Sequence, residues 1–137
     1  MDINRFHFKK FGHEERSTFR YWYYHWKAFN LVAMSLHVWK VRYLFHDIEK
    51  PWLLLLWKDY KRVQKWHRTH NSHHLEYNGA PNYDFEAMAV DWECSHYTKK
   101  AKALNAREEA NRKLENNNKY SDVIINGLIP VLDKLGL

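Results

Sequence analysis

The chain has 137 residues, enough for one domain with a sizeable core and too few for two comfortable ones. Hydrophobic residues make up 45% and aromatic residues 17%, which excludes a disordered chain, while four Gly and three Pro are too few turn-formers for a sandwich or barrel of many short strands. The net charge of +6 favours anionic partners (phosphates, nucleotides, nucleic acid) without choosing among them, and the single cysteine, Cys94, excludes an internal disulfide and every Cys-rich zinc site.

Residues 1–16 mix Phe with basic residues at no sustained period and read as an arm before the core, which spans 17–115. From Ser17 the pattern is helical, with Phe19, Trp22, Tyr23, Trp26, Phe29 and Ala33 at steps of three and four. A second helical pattern runs through Val38, Val41 and Leu44 to Phe45 and encloses His46-Asp47. Pro51 ends that pattern or opens the next, a helix read from Trp52 to His67. His70 to Tyr83 carries loop signals at Asn71-Ser72, Asn78-Gly79 and Pro81. Asp84 is placed to cap a long helix that carries Glu86 in its first turn and passes through Asp91 to about Leu114. After the break at 116–118, Ser121 caps a C-terminal helical segment over 119–137, which Gly127 and Pro130 should split or bend. The fold class is all-α: a single-domain helical bundle. The longest apolar run, Trp52 to Trp57, is far short of the ~20 residues of a membrane span, and the polar, basic start lacks the apolar stretch of a signal peptide. The expectation is a soluble cytoplasmic protein with no membrane partner.

Ten His are a surplus for this length. Three sets of them, with Asp91, are where chemistry can reside. His25 lies in the aromatic run, His46-Asp47 in an apolar stretch, and His67, His70, His73 and His74 in a cluster with Arg68 and Asn71. Asp91 stands in the apolar strip Met88-Ala89-Val90-Asp91-Trp92. Imidazole and carboxylate without thiolate form the ligand set of a divalent-metal site, and a carboxylate in an apolar strip is costly unless something neutralises it. Taken singly, each has a bland explanation: a core or surface His, an Asp that caps a helix or pairs with Lys50, a loop His pair.

The order His25, His46-Asp47, His67 to His74, Asp91 resembles the HD-type phosphohydrolase arrangement, in which separate helices deliver His, His-Asp, His and Asp to one cation. His46-Asp47-Ile48-Glu49-Lys50 resembles the His-Asp-Ile-Gly-Lys signature of that superfamily, with Glu49 in place of Gly. Closer still, residues 20 to 95 are similar to a small uncharacterised family of HD-like proteins of phages and bacteria. The matching residues are His25, His46, Asp47, Lys50, His67, Asn71, His73, His74, Glu76, Tyr77, Asp91 and Trp92, with departures at Glu49, Pro51, Ser72 and Leu75.

The resemblance implies an HD-type helical bundle in which His25, His46, Asp47 and Asp91 hold a divalent metal (Zn, Mn, Fe, Mg, Co or Ni). It further implies that His67 with His73 or His74 serves a second metal or a phosphate, Asp47 bridging if two ions bind. Lys50, three residues beyond Asp47, is then placed to reach a phosphate oxygen, and Arg68 and His74 to help bind a small anionic substrate, a nucleotide or a similar phosphoester. Within the cluster, His67, Asn71 and His74 share a helical face, whereas His70 with His74 is a rival zinc pair. An HD-type di-iron oxygenase, a metal-stabilised domain without catalysis and a basic nucleic-acid-binding protein are the alternatives.

Helix geometry sets a condition on the site. His25 and His46 are 21 residues apart, and one straight helix would separate them by about 31 Å. The chain must therefore reverse between them, and Asn30 to Leu36 is the expected place, although no Gly or Pro marks it. His37 falls on the far side of a continuous helix from His46, and His7, His13 and His96 have no partner at a useful spacing.

Overall fold

The computed structural model describes residues 19–98, 104–116 and 118–137, and the N-terminal arm read at 1–16 lies outside them. The described residues form helices with no strand: α1 (Phe19–Ser35), a 3-10 turn (Val41–Phe45), α2 (Glu49–Trp57), α3 (Tyr60–His70), α4 (Phe85–Thr98), α5 (Ala106–Glu115), α6 (Ser121–Val123), a π turn (Ile124–Leu128) and α7 (Ile129–Leu135). None of these helices is long and apolar enough to cross a membrane.

The reversal that the site requires lies just beyond α1. Val38 N–H donates to the Ala33 carbonyl at 3.0 Å and His37 N–H to that of Met34 at 3.1 Å, the paired bonds of a helix stop in which one residue turns left-handed. That residue is His37, at φ +60°, so the break falls a little after Asn30–Leu36. The same device recurs twice. Lys58, at φ +53°, ends α2, and the Asp59 side chain accepts from Arg62 N–H to start α3, so the helix expected from Trp52 to His67 is two helices. Asp47, at φ +56°, turns the chain between the 3-10 segment and α2, so His46-Asp47 stands on a tight turn and not inside a helix. Pro51 sits in the first turn of α2, where its missing N–H costs nothing.

Asp84 caps α4 as expected, its Oδ1 accepting from Ala87 N–H at 3.0 Å. The described part of α4 ends at Thr98, and after the non-helical residues 104–105 Asn105 caps a separate α5 by accepting from Glu108 N–H at 2.9 Å. The Glu93 side chain accepts from Ala106 N–H at 3.0 Å and ties the start of α5 to α4. Near the C-terminus, Asn118 and not Ser121 shapes the entry: its Oδ1 accepts from Tyr120 N–H at 2.8 Å. Gly127 and Pro130 do not split the segment. The backbone widens into a π turn around Gly127, which the Phe85 ring overlies so closely that a side chain there would have to displace it.

Helix α4 is buried on both flanks. Ala87, Val90 and Cys94 join Ala28, Phe29, Val32 and Ala33 of α1 in one core, and Met88 and Ala89 join Ala106, Ala110, Ile124, Leu128 and Leu132 in a second. The first core ends at the turn carrying His46 and Asp47, and there the His/Asp cluster begins.

Candidate metal centre

Helix α1 fixes the turn through main-chain atoms. Trp22 Nε1 donates to the Asp47 carbonyl at 2.8 Å, Trp26 Nε1 to that of Leu44 at 2.8 Å and Asn30 Nδ2 to that of Tyr43 at 3.1 Å. Those three donors stand at i, i+4 and i+8, one stripe of the helix. On the neighbouring stripe, Phe29 stacks on the His46 ring at 3.6 Å and 8°, and His25, one turn earlier, reaches into the cluster. Held this way, the left-handed Asp47 points its carboxylate inward beside His46.

Four ligand-type residues meet there: His25, His46, Asp47 and Asp91, all buried, each offering one donor atom within 4.8 Å of the others. His25 Nε2 lies 2.9 Å from Asp91 Oδ1 and 3.3 Å from His46 Nε2, and His46 Nε2 lies 3.3 Å from the same Asp91 oxygen. A second set, His67, His73 and His74, meets the same criterion. Asp47 joins the two. Its Oδ1 stands 3.3 Å from His46 Nε2, 3.1 Å from His67 Nε2 and 3.3 Å from His73 Nε2, and its Oδ2 stands 3.5 Å from His25 and 3.0 Å from Lys50 Nζ.

These distances fit a cation better than they fit hydrogen bonding. Asp47 Oδ1 and the Nε2 atoms of His67, His73 and His74 are buried without a hydrogen-bond partner, although several lie within about 3.3 Å of one another. Buried polar atoms that crowd together unpaired are expensive unless a common partner satisfies them. Bonds of about 2.0–2.1 Å from a tetrahedral cation would set neighbouring donors about 3.3 Å apart, the spacing seen here. The donor set therefore suits a metal ion.

The surroundings hold the rings in ligand form. Burial drives His46 down to about 4 and His74 down to about 2, keeping both imidazoles neutral. Burial pushes the Asp47 and Asp91 carboxyls up, but their neighbours outweigh it and hold both well below the usual range. Those neighbours are His46, Lys50 and His67 for Asp47, and His25 and His46 for Asp91. Lys50 is likewise disfavoured by burial and kept charged by Asp47 and Asp91.

Glu49, noted in the sequence only as a departure, has a place. Its carboxylate bonds His67 Nδ1, and Asn71 Nδ2 donates to Glu49 Oε1 at 3.1 Å and to the His67 carbonyl at 2.7 Å. Glu49 thus fixes the ring so that Nε2 faces Asp47, the carboxylate–histidine support common behind metal ligands. Spacing alone pairs only His67 with Asn71, one helical turn apart; Glu49 is 18 residues from His67 and meets it only because α2 packs on α3.

The remaining candidates divide. His74 lies with His67 and His73 and also faces the cavity, whereas Arg68 lines the cavity from an exposed position. His70 is exposed, stacked on Trp66 at 4.2 Å with Nδ1 2.8 Å from the Trp66 carbonyl, so the rival pair with His74 does not form. His37 is the helix stop of α1, and His96 is exposed on α4; His7 and His13 lie outside the described residues.

The cavity has a volume of ≈ 700 Å³ and runs from His25, Asp47 and Asp91 out between α1, α2 and α3. Together, fold and site define an all-helical protein with a buried His/Asp cluster that can hold a metal at the floor of a cavity. No family model, curated protein or solved structure matches the chain.

Proposed function

We propose that the protein is an HD-type, metal-dependent phosphohydrolase acting on a small phosphoester, a class that includes nucleotides. The observation that carries this reading is the Asp47 carboxylate, whose two oxygens face both ligand sets while Lys50 stands at 3.0 Å on the second of them. His25, His46, Asp47 and Asp91 would hold one divalent ion, and His67, His73 and His74 are the donors for another beside Asp47. A divalent cation there supplies Lewis acidity, polarising a phosphoryl oxygen and acidifying water at neutral pH.

The chain's own groups do the rest. Lys50, charged and facing the cavity, is placed to take a phosphate oxygen and neutralise charge as the ester bond breaks. Arg68 lines the same cavity and adds an approach potential for an anion. Glu49 keeps His67 oriented, and the apolar walls exclude bulk water from the reacting phosphate.

The test is metal analysis of purified protein together with phosphate release from nucleoside mono-, di- and cyclic phosphates and from simple alkyl and aryl phosphates, with Mn, Zn, Fe, Mg, Co or Ni supplied. Chelator-sensitive phosphate release is the expected result. Metal bound with no release from any ester would overturn the reading in favour of a structural metal. Oxygen consumption by iron-loaded protein would move it to the oxygenase class.

A further inference from the structure

The cavity carries information about the rest of the substrate. Its floor is the His/Asp cluster, and two further cations line it, Lys58 and Arg68. Neither forms an ion pair among the described residues. Large apolar side chains make up much of the remaining wall. Trp22 comes from α1, and Trp52, Leu54 and Leu55 come from α2. Trp52 and Leu55 are 64% and 67% exposed, yet both border a concave site, so an occupant would cover them. Isolated apolar residues on a surface are ordinary, but several around one cavity mouth mark a binding surface.

A nucleoside would bring a base edge and sugar hydroxyls that need partners. Three of the polar side chains along these walls are already bonded within the protein: Trp22 Nε1 donates to the Asp47 carbonyl at 2.8 Å, and Gln64 Nε2 donates to the Tyr60 hydroxyl at 2.5 Å. Ser95 Oγ donates to the Asp91 carbonyl at 2.9 Å. The charged floor formed by the cluster and Lys50, with the apolar side chains of α2 above it, matches an amphiphile. A volume of ≈ 700 Å³ suits one drug-sized molecule.

We infer that the substrate is an amphiphilic phosphomonoester, its phosphate on the His/Asp cluster with Lys50 and Arg68, and its alkyl or aryl group against Trp22, Trp52, Leu54 and Leu55. The inference rests on the phosphohydrolase reading for its chemistry. The apolar walls alone set the tail's contribution to binding. Each methylene laid on them should tighten binding about fourfold, the ~0.8 kcal/mol of a buried CH₂.

Two measurements on the metal-loaded full chain separate the two readings. The first is calorimetric titration with n-alkylphosphonates from ethyl to hexyl, which cannot be hydrolysed. The second is phosphate release from the matching alkyl phosphates and from adenosine monophosphate. Kd and KM should fall together about fourfold per methylene, more than ~100-fold across the series, with hexyl phosphate preferred to the nucleotide. Leu55→Asn, a change at a largely exposed residue, should flatten the slope, whereas Leu56→Asn should not, because Leu56 is 74% exposed and does not line the cavity. A phosphonate series with flat Kd would overturn the inference, and so would a slope that Leu56→Asn lowers as much as Leu55→Asn does. A steep binding series without hydrolysis of any ester would uphold the amphiphilic site and overturn the phosphohydrolase.

Discussion

Replacing Asp47 by Asn tests the centre at its hinge. Asn occupies nearly the same volume and, like Asp, tolerates the left-handed backbone that Asp47 adopts at φ +56°, so the turn survives and the charge does not. In the parent protein that carboxylate lies 3.0–3.5 Å from four His and Lys50. Breaking a buried pair from one side costs about 3–5 kcal/mol. At the ~3–5 °C per kcal/mol expected for a domain of this size, the metal-free variant should melt ~9–25 °C lower. Metal adds a second difference. At a hundredfold excess over Kd, a bound ion stabilises by about 2.7 kcal/mol, so the parent should melt ~8–13 °C higher with metal than with chelator. Because Asp47 touches both ligand sets, the variant should lose this increment altogether. The assays are differential scanning calorimetry with and without chelator, and elemental analysis after desalting. Equal metal content in the two proteins, with a parent melting point indifferent to chelator, would refute the reasoning.

Four further outcomes follow from the contacts. Glu49→Gln should weaken metal binding about 10- to 100-fold with the circular dichroism unchanged, because it disturbs the carboxylate behind His67 and no ligand; competition titration against a chromogenic chelator measures this. Phe29→Ala removes a fully buried ring that also backs His46 and should cost about 3–5 kcal/mol in urea unfolding. Trp22→Phe deletes one hydrogen bond to the Asp47 carbonyl and should cost about 1 kcal/mol, read as a shifted urea midpoint with unchanged slope. His37→Gly should raise stability by up to about 1 kcal/mol, since exposed His37 sits at φ +60°, where a side chain is penalised; a lower melting point would show that the imidazole has a role at that turn.

The all-helical class was legible because Gly and Pro are scarce and apolar residues recur at helical steps in residues 19–33 and 85–98. The breaks were harder to see for the same reason. With four Gly in the chain, three of its turns fall on His37, Asp47 and Lys58; Asp and His enter the left-handed region more readily than most residues, but neither marks a turn as Gly does. The reversal after α1 was demanded by distance, but its position had no local mark. Likewise Lys58 splits a pattern whose apolar periodicity runs on across it. The ligand-type residues showed themselves by chemistry, as charged or titratable groups inside apolar strips. Glu49 did not, because its meaning depends on a helix packed against its own, and that contact has no trace in local spacing. The choice between His70 and the other cluster residues had the same origin, since only the docking of α3 decides which face is covered.

Trp22, Trp26 and Asn30 grip the 43–47 turn by its peptide carbonyls, and no side chain of the turn takes part in those three bonds. Leu44 and Phe45, next to the ligands in the chain, are exposed and do not line the cavity. The register of the centre is thus independent of what those two residues are. This separates two design problems: the outer surface of the turn can be rewritten for solubility, labelling or immobilisation while the inward pair, His46 and Asp47, keeps its aim.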